Sequence, residues 1–245
     1  GFIVSDARIG IIDDAVPEIR KHISDENLQV IVLENEMKIH SANRDAIGQL
    51  NADISSKFQE AYGTFAASLK AHDDIEDIYI ANMDFTKANQ LSNDLIELFF
   101  GEEKADKPSN VIHRFLGAAT PDGAVDFIQN LTEDIGKRYF IKGRAGSGKS
   151  TMLKKIAAAG EKKGYDVEIY HCGFDPNSLD MVILREKGIA IFDSTAPHEY
   201  EPERETDEII DMYQTCITQG TDEKFASEIN RTTKAYKDKM KEAIT

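Results

Sequence analysis

The sequence has no tryptophan and only two cysteines in 245 residues, and it has fewer basic than acidic residues. Two cysteines cannot build a disulfide framework, so we expect a reducing, cytoplasmic environment. No apolar run approaches the roughly 20 residues that span a bilayer, so no membrane association is predicted. Asp and Glu total 44 against 29 Lys and Arg, a net charge of −15 that repels the backbone of nucleic acids. These absences argue against a disulfide scaffold, a membrane protein and a nucleic-acid partner.

Residues 143–150 read Gly-Arg-Ala-Gly-Ser-Gly-Lys-Ser, a full match to the G-x-x-x-x-G-K-[ST] pattern of a phosphate-binding loop. An apolar run precedes the loop and a helix-compatible run follows it, which is the setting that the pattern requires. Glycines let successive N–H groups turn toward one anion, and the following helix adds its N-terminal partial charge. The segment therefore predicts a nucleoside triphosphate site, and the alternative is a glycine turn before an ordinary helix.

The pattern also assigns roles to individual residues. Lys149 would reach the β- and γ-phosphates, and Ser150 would offer its hydroxyl to Mg²⁺. Asp193 ends an apolar strand, so we expect it to hold Mg²⁺ through water and to act with Lys149 in catalysis; capping the next turn is the alternative. ATP is the expected nucleotide by default, because no Asn-Lys-x-Asp guanine motif is present. The residues expected to contact the nucleotide are Gly143, Arg144, Ala145, Gly146, Ser147, Gly148, Lys149, Ser150 and Thr151.

The chain carries an internal repeat. Residues 2–13 and 182–193 each contain two short apolar runs that end on an Asp, with a spacing of 180 positions (193 minus 13). A proline follows four positions after each Asp, at Pro17 and Pro197. We interpret the match as a duplication. The loop of the first copy would precede residue 1, so we expect a fragment of a duplicated architecture. Residues 1–105 would be the C-terminal part of a first P-loop-like unit, and 106–245 the N-terminal part of a second.

Apolar periodicity predicts amphipathic helices over 50–69 and 75–100, together a helical hairpin, and another helix in the last twenty residues. Residues 101–110 are charged and typical of a linker. A turn-rich loop over 117–123 and a helix over 124–135 follow. The next unit begins with Val-Ile-His-Arg-Phe at 111–115. The remaining predicted elements are strands at 138–142, 167–172, 181–184 and 188–192, and a helix over 149–162 with Gly164 as its stop.

Alternating strands and helices predict an α/β fold of the P-loop NTPase type. Its sheet would be mostly parallel and flanked by helices, with the helical hairpin appended. In such sheets the ligand lies at the carboxyl ends of the strands.

Three short stretches are more specific than the loop: His-Cys at 171–172, Ser-Leu-Asp at 178–180 and Thr-Ala-Pro-His at 195–198. Together with the loop region, they resemble a poorly characterised bacterial family of tandem P-loop ATPases over nearly the whole chain. The resemblance implies two P-loop units, ATP binding and hydrolysis, and a Gly-x-x-Thr-x-x-Gly element, here 117–123. The first copy departs from the family pattern, because residues 15–18 read Ala-Val-Pro-Glu without the His.

Several residues keep more than one interpretation. His171, Cys172 and His198 could line a substrate cleft, hold a metal or form a Cys-His nucleophile pair, and Cys172 could be a core residue. Many ATPases place a Glu after the strand-ending Asp to orient water, but here that position is Ser194. Asp14 could fill it only in the first copy. The Arg144 side chain could touch phosphate, but we expect it to point to solvent or to the partner unit.

Three functions remain open at this point. The first is an ATPase whose hydrolysis of ATP drives conformational change. The second is a phosphotransferase in which 117–123, His171 and His198 hold a small acceptor; its lid would need arginines, and 199–245 offers only Arg204 and Arg231. The third is a nucleotide-dependent switch or scaffold that binds a protein partner through the long helices.

Overall fold

The computed structural model describes residues 2–4, 7, 9–11, 29–31, 43–120, 123–196 and 199–244. The chain divides into two compact units, Gly1–Ile54 and Ser55–Thr245. In the first, β1 (Phe2–Val4) pairs antiparallel with β2 (Ile9–Ile11). Several residues of the sequence predictions lie outside the described residues: Asp13, Asp14, Pro17, Pro197 and His198.

The other elements follow in chain order. The helices of the described residues are α1 (Arg44–Ile80), α2 (Phe85–Phe100), α3 (Ile128–Leu131), α4 (Lys149–Lys162), α5 (Met212–Cys216), α6 (Thr221–Lys224) and α7 (Ala226–Ile244). The strands that follow β2 are β3 (Val111–Phe115), β4 (Gly117–Thr120), β5 (Gly123–Asp126), β6 (Lys137–Lys142), β7 (Val167–His171), β8 (Leu179–Leu184), β9 (Ile189–Asp193) and β10 (Glu208–Asp211).

Six strands form the central sheet, in the order β10-β6-β9-β8-β7-β3. The pairs β10/β6, β6/β9 and β3/β7 are parallel, while β8 pairs antiparallel with both of its neighbours. The fold is therefore α/β with a mostly parallel sheet flanked by helices, as the alternation of elements predicted. Because β8 runs against the other strands, its first residues lie at the edge where the others end.

Burial explains why the strand, loop and helix around 143–148 form as predicted. The middle of β6 is buried, and α4 presents Met152, Leu153, Ile156 and Ala157 to the sheet at helical spacing. Phe99 and Phe100 of α2 join the same core cluster. A second cluster, which includes Ile128, Phe140, Tyr170 and Phe192, is built on alternate strand residues and so covers the opposite face of the sheet.

The first two long helices differ from their predicted bounds. One helix, α1, continues to Ile80, and α2 begins only at Phe85, after Asp84. The Asp84 carboxylate caps α2 by accepting from the N–H groups of Thr86 and Lys87, at 3.0 and 3.1 Å. α2 packs on α4 as a covering layer of the sheet, so it is not half of an appended hairpin. Leu98, an apolar residue of the predicted helix over 75–100, is 63% exposed.

The predicted helix over 124–135 is wrong. Instead, β4 and β5 pair antiparallel as a β-hairpin, in which Gly117 lies opposite Asp126 and Thr120 opposite Gly123. The Asp126 carboxylate then accepts from the N–H of Ile128 at 3.1 Å, and only the single turn of α3 follows. Ile128 and Ile135 are buried, so the apolar spacing belongs to a turn and a loop that cover the sheet.

The repeated segments form matching antiparallel pairs. In β1/β2, Val4 lies opposite Ile9, and in β8/β9, Leu184 lies opposite Ile189. Every aligned pair shifts by the same 180 positions (184 minus 4 and 189 minus 9). A duplication would produce this register. The division into two incomplete P-loop units at 105/106 stays a prediction.

Candidate functional site

The loop of residues 143–148 joins the end of β6 to the start of α4. Gly146 and Gly148 have φ of +71° and +86°, in the left-handed region that other residues rarely adopt. A Cβ on Gly143 would lie 2.5 Å from Ser147 Oγ, and one on Gly146 would lie 2.5 Å from the carbonyl oxygen of Glu76. Backbone conformation or close packing therefore requires glycine at all three positions.

Lys149 occupies the centre of the site. The residue is 8% exposed, and its Nζ donates to the carbonyl oxygen of Arg144 at 2.8 Å. The same Nζ lies 3.5 Å from Oδ2 of Asp193. Because β6 and β9 are adjacent and parallel, the loop and Asp193 meet at one edge of the sheet. The structure thus brings together the two residues that the sequence assigned to catalysis.

The residues predicted to hold Mg²⁺ lie at the same edge. Ser150 Oγ accepts from the N–H of Leu179 at 2.9 Å. Asp193 Oδ1 accepts from the N–H and hydroxyl of Thr195, at 3.0 and 2.6 Å, so Asp193 also caps the turn that follows β9. A hydroxyl and a carboxylate are the hard oxygen donors that Mg²⁺ prefers, and both residues line one cavity with Lys149. The donor set fits Mg²⁺.

The side chain of Arg144 turns away from this cavity. Its guanidinium lies 3.0 and 3.2 Å from Asp222 Oδ2 and 4.9 Å from the ring centroid of Tyr213. Tyr79 donates its hydroxyl to the other oxygen of Asp222 at 2.9 Å. Burial first, and then Asp222, raise the pKa of Tyr79. The sequence expectation of a solvent-facing or partner-facing arginine is replaced by an anchor within the chain.

A cavity of about 870 Å³ opens at the loop. This volume falls in the range of about 300–1,000 Å³ that is usual for small-molecule sites. Its walls come from the loop, the start of α4, the start of β8, the end of β9, and α1, α2 and α7. Lining residues used below are Thr120, Lys149, Ser150, Lys154, Asp180 and Asp193.

Cys172 and His171 point to different surroundings. Cys172 lines the cavity, where burial first, and then the charge of Asp180, raise the pKa of its thiol to about 12. A thiol that stays protonated at neutral pH is a poor nucleophile and a poor metal ligand. The His171 ring instead meets His113 at 2.8 Å and the Pro176 carbonyl oxygen at 2.6 Å. Cys172 is therefore a wall residue and the His171 ring contacts other groups, while His198, the third member of the predicted group, lies outside the described residues.

The comparisons with known proteins add no relative: no family model, no curated protein and no solved structure matches this chain. No helix within residues 43–120, 123–196 and 199–244 is both long enough and apolar enough to cross a membrane.

Proposed function

We propose that the chain binds ATP with Mg²⁺ at residues 143–151 and hydrolyses it. One observation carries the proposal: the buried ammonium of Lys149 is held between the loop carbonyl of Arg144 and the carboxylate of Asp193, inside a cavity at the N-terminus of α4. An anionic ligand at this place would meet a fixed cation and the positive end of a helix. Both favour phosphate groups over neutral ligands.

Each residue then has a defined task. Loop N–H groups and the first turn of α4 bind phosphate oxygens, and Lys149 stabilises the negative charge that develops during transfer. Ser150 and Asp193 would hold Mg²⁺, which when bound neutralises charge on the β- and γ-phosphates. The helices around the cavity would cover the rest of the nucleotide.

The test compares the wild-type chain with Lys149→Ala in ATP binding and phosphate release, with and without Mg²⁺. Removing the charged donor should weaken ATP binding by about 10- to 100-fold and slow phosphate release by about 100-fold or more. Lys154→Ala is the matched control, because Lys154 is an exposed lysine of the same helix and the same cavity. Equal ATP affinity in wild type and Lys149→Ala would refute the proposal.

A phosphotransferase is the second candidate, because the cavity extends past Asp193 to Thr120 of the 117–126 hairpin and leaves room for an acceptor. Arg204 does not form a lid, since its guanidinium donates to the carbonyl oxygens of Ile135 and Glu133 at 2.8 and 3.2 Å. Phosphate release without added acceptor supports the ATPase. Turnover that requires a small hydroxyl compound supports the phosphotransferase.

Two broader proposals accompany the ATPase. Phe58 and Tyr62 are exposed one turn apart on α1, which favours a protein partner on the long helix. Tight ATP binding with no turnover would support a nucleotide-dependent switch that uses this face. Membership in the tandem P-loop ATPase family is likewise our proposal, supported by the fold class and by the arrangement of Lys149, Ser150 and Asp193.

A further inference from the structure

Many ATPases carry a Glu directly after the strand-ending Asp, where it orients the attacking water. This chain has Ser194 at that position. Ser194 follows Asp193, but it is completely buried. Its Oγ donates to the carbonyl oxygen of Tyr200 at 2.6 Å and accepts from the N–H of the same residue at 3.1 Å. Ser194 therefore fixes the loop after β9, and another group must meet the attacking water.

Asp180 is a second carboxylate at the same edge of the sheet. It is the second residue of β8, which starts where β6 and β9 end. Met181 pairs with Phe192 across the β8/β9 ladder, and Asp180 and Asp193 are the next residues beyond that pair. Directly opposed residues of antiparallel strands project to the same face. Both residues line the cavity at the N-terminus of α4.

The local backbone gives Asp180 a special position. Along the β7/β8 ladder, Tyr170 pairs with Met181 but His171 pairs with Leu179, so Asp180 is the extra residue of a β-bulge. Bulges are common beside active sites, where they redirect a side chain. Asp180 is 5% exposed, yet it lines the cavity together with Lys149 and Asp193. A bulged carboxylate that borders the proposed nucleotide cavity is a candidate for a catalytic role.

We propose that Asp180 accepts a hydrogen bond from the attacking water and orients it toward the γ-phosphate, and this inference rests on the proposed function. The water oxygen forms a bond to the γ-phosphorus, while the bond from that phosphorus to the bridging oxygen breaks. The electron pair of the broken bond leaves on the β-phosphate of ADP. One water proton stays on the released phosphate and the other passes to solvent, so no further reactant is needed.

The decisive variant is Asp180→Asn, which keeps the size of the side chain and removes the charge. We expect ATP affinity within about threefold of wild type and phosphate release about 100-fold slower or more, the usual effect of losing a group that handles the nucleophile. Asp84→Asn is the control, because Asp84 is an exposed carboxylate outside the cavity lining that caps α2 through the N–H groups of Thr86 and Lys87. That control should hydrolyse ATP at close to the wild-type rate.

Asp180→Glu is measured in parallel in case the amide disturbs folding. It retains the charge but moves the carboxylate by one methylene, so it should also bind ATP normally and turn over slowly. A wild-type rate in either Asp180 variant overturns the inference while leaving ATP hydrolysis intact. Recovery of Asp180→Asn at high Mg²⁺ concentration also overturns it, because Asp180 would then be a metal ligand.

Measurements on the wild-type chain distinguish a failure of ATP binding from a failure of hydrolysis. If the wild type binds no ATP, the proposed function itself fails. If it binds ATP but releases no phosphate, then ATP binding stands, hydrolysis is wrong and the role of Asp180 falls with it.

Discussion

At the scale of single residues, the loop requires glycine because a Cβ atom would not fit. Gly146 combines a φ of +71° with a backbone contact to Glu76 that leaves no space for a Cβ. A substitution there must strain the loop, displace α1, or do both. An added Cβ meets no neighbouring atom where a glycine has open space around it, as at Gly63 of α1.

Gly146→Ala should therefore lower the free energy of unfolding by about 1–3 kcal/mol. It should also weaken ATP binding by tenfold or more, because the loop N–H groups would shift. Urea denaturation and ATP titration measure the two effects. Gly63→Ala is the control and should raise the free energy of unfolding by about 0.5–1 kcal/mol, since alanine favours a helix interior. Normal ATP affinity in Gly146→Ala would contradict the assignment of this loop.

The sequence predicted some site residues because their signals are local. Lys149 and Ser150 belong to one contiguous motif, and Asp193 ends an apolar run, so each could be assigned from its neighbours. Asp222 could not be assigned, because its contact with Arg144 joins positions 78 residues apart. The role proposed for Asp180 depends on a bulge and on the direction of β8, and neither is written in the local sequence.

At the scale of elements, a buried ion pair fastens β10 to the sheet. Arg138 of β6 donates to both carboxylate oxygens of Asp207, at 2.8 and 2.6 Å, and the two side chains are 5% and 0% exposed. Asp207 directly precedes β10, the edge strand that pairs with β6. Bidentate geometry of this kind holds the chain in one register.

Asp207→Asn should lower the free energy of unfolding by about 3–5 kcal/mol at neutral pH, because it leaves the Arg138 charge buried and uncompensated. Equilibrium denaturation in urea measures the loss. Glu60→Gln breaks an equally short pair with Lys57, at 2.7 Å, on the exposed surface of α1. No measurable change is expected for that control, and equal effects of the two variants would contradict the structural role of the buried pair.

The same pair predicts sensitivity to acid. Arg138 first, together with backbone N–H groups of Arg204 and Glu203, holds the pKa of Asp207 well below its usual value of 3.8. A depressed carboxyl pKa stabilises the fold fully above 3.8, and this contribution is lost as the pH falls toward the folded-state pKa. Unfolding free energies between about pH 5 and pH 2 should therefore fall more steeply in wild type than in Asp207→Asn. Parallel curves would show that the pair does not carry this dependence.

Prediction of the elements succeeded where local pattern and tertiary packing agree. For β6 and α4 the apolar runs coincide with the core, so their bounds follow from the sequence. Over 124–135 the apolar spacing fits a helix, but Gly117 and Asp126 pair across a hairpin that periodicity does not reveal. The sequence predicted helices over 50–69 and 75–100, whereas α1 continues through the exposed acidic residues near 73 and ends at Ile80. The four-residue β10 was missed because it is short and at an edge.

At the scale of the whole molecule, the loop is tied to helices far away in sequence. Tyr79 of α1 and Arg144 of the loop meet on Asp222 of α6. A small core cluster of Ile75, Tyr79 and Ile217 surrounds this junction. The position of the loop is thus set jointly by the sheet and by the helices around it.

Tyr79→Phe removes one hydrogen bond from this junction and leaves the contact of Arg144 with Asp222 in place. The free energy of unfolding should fall by about 1 kcal/mol or slightly more, because Oδ1 of Asp222 loses the buried hydroxyl that donates to it. Thermal and urea denaturation measure the loss, and Tyr62→Phe on the exposed face of α1 should show none. A neutral Tyr79→Phe would mean that the ring, and not the hydroxyl, fixes the junction.

The contact of Gly146 with the Glu76 backbone also makes the site and α1 thermodynamically reciprocal. A nucleotide that shifts the loop must shift the equilibrium position of α1, because no compressible side chain lies between the two backbones. Suppose that a partner binds α1 and holds it in one position. By linkage, the factor by which this partner changes the affinity for the nucleotide equals the factor by which the nucleotide changes the affinity for the partner. Because Gly146 has no Cβ, nucleotide binding in the cavity would thus change the position of α1.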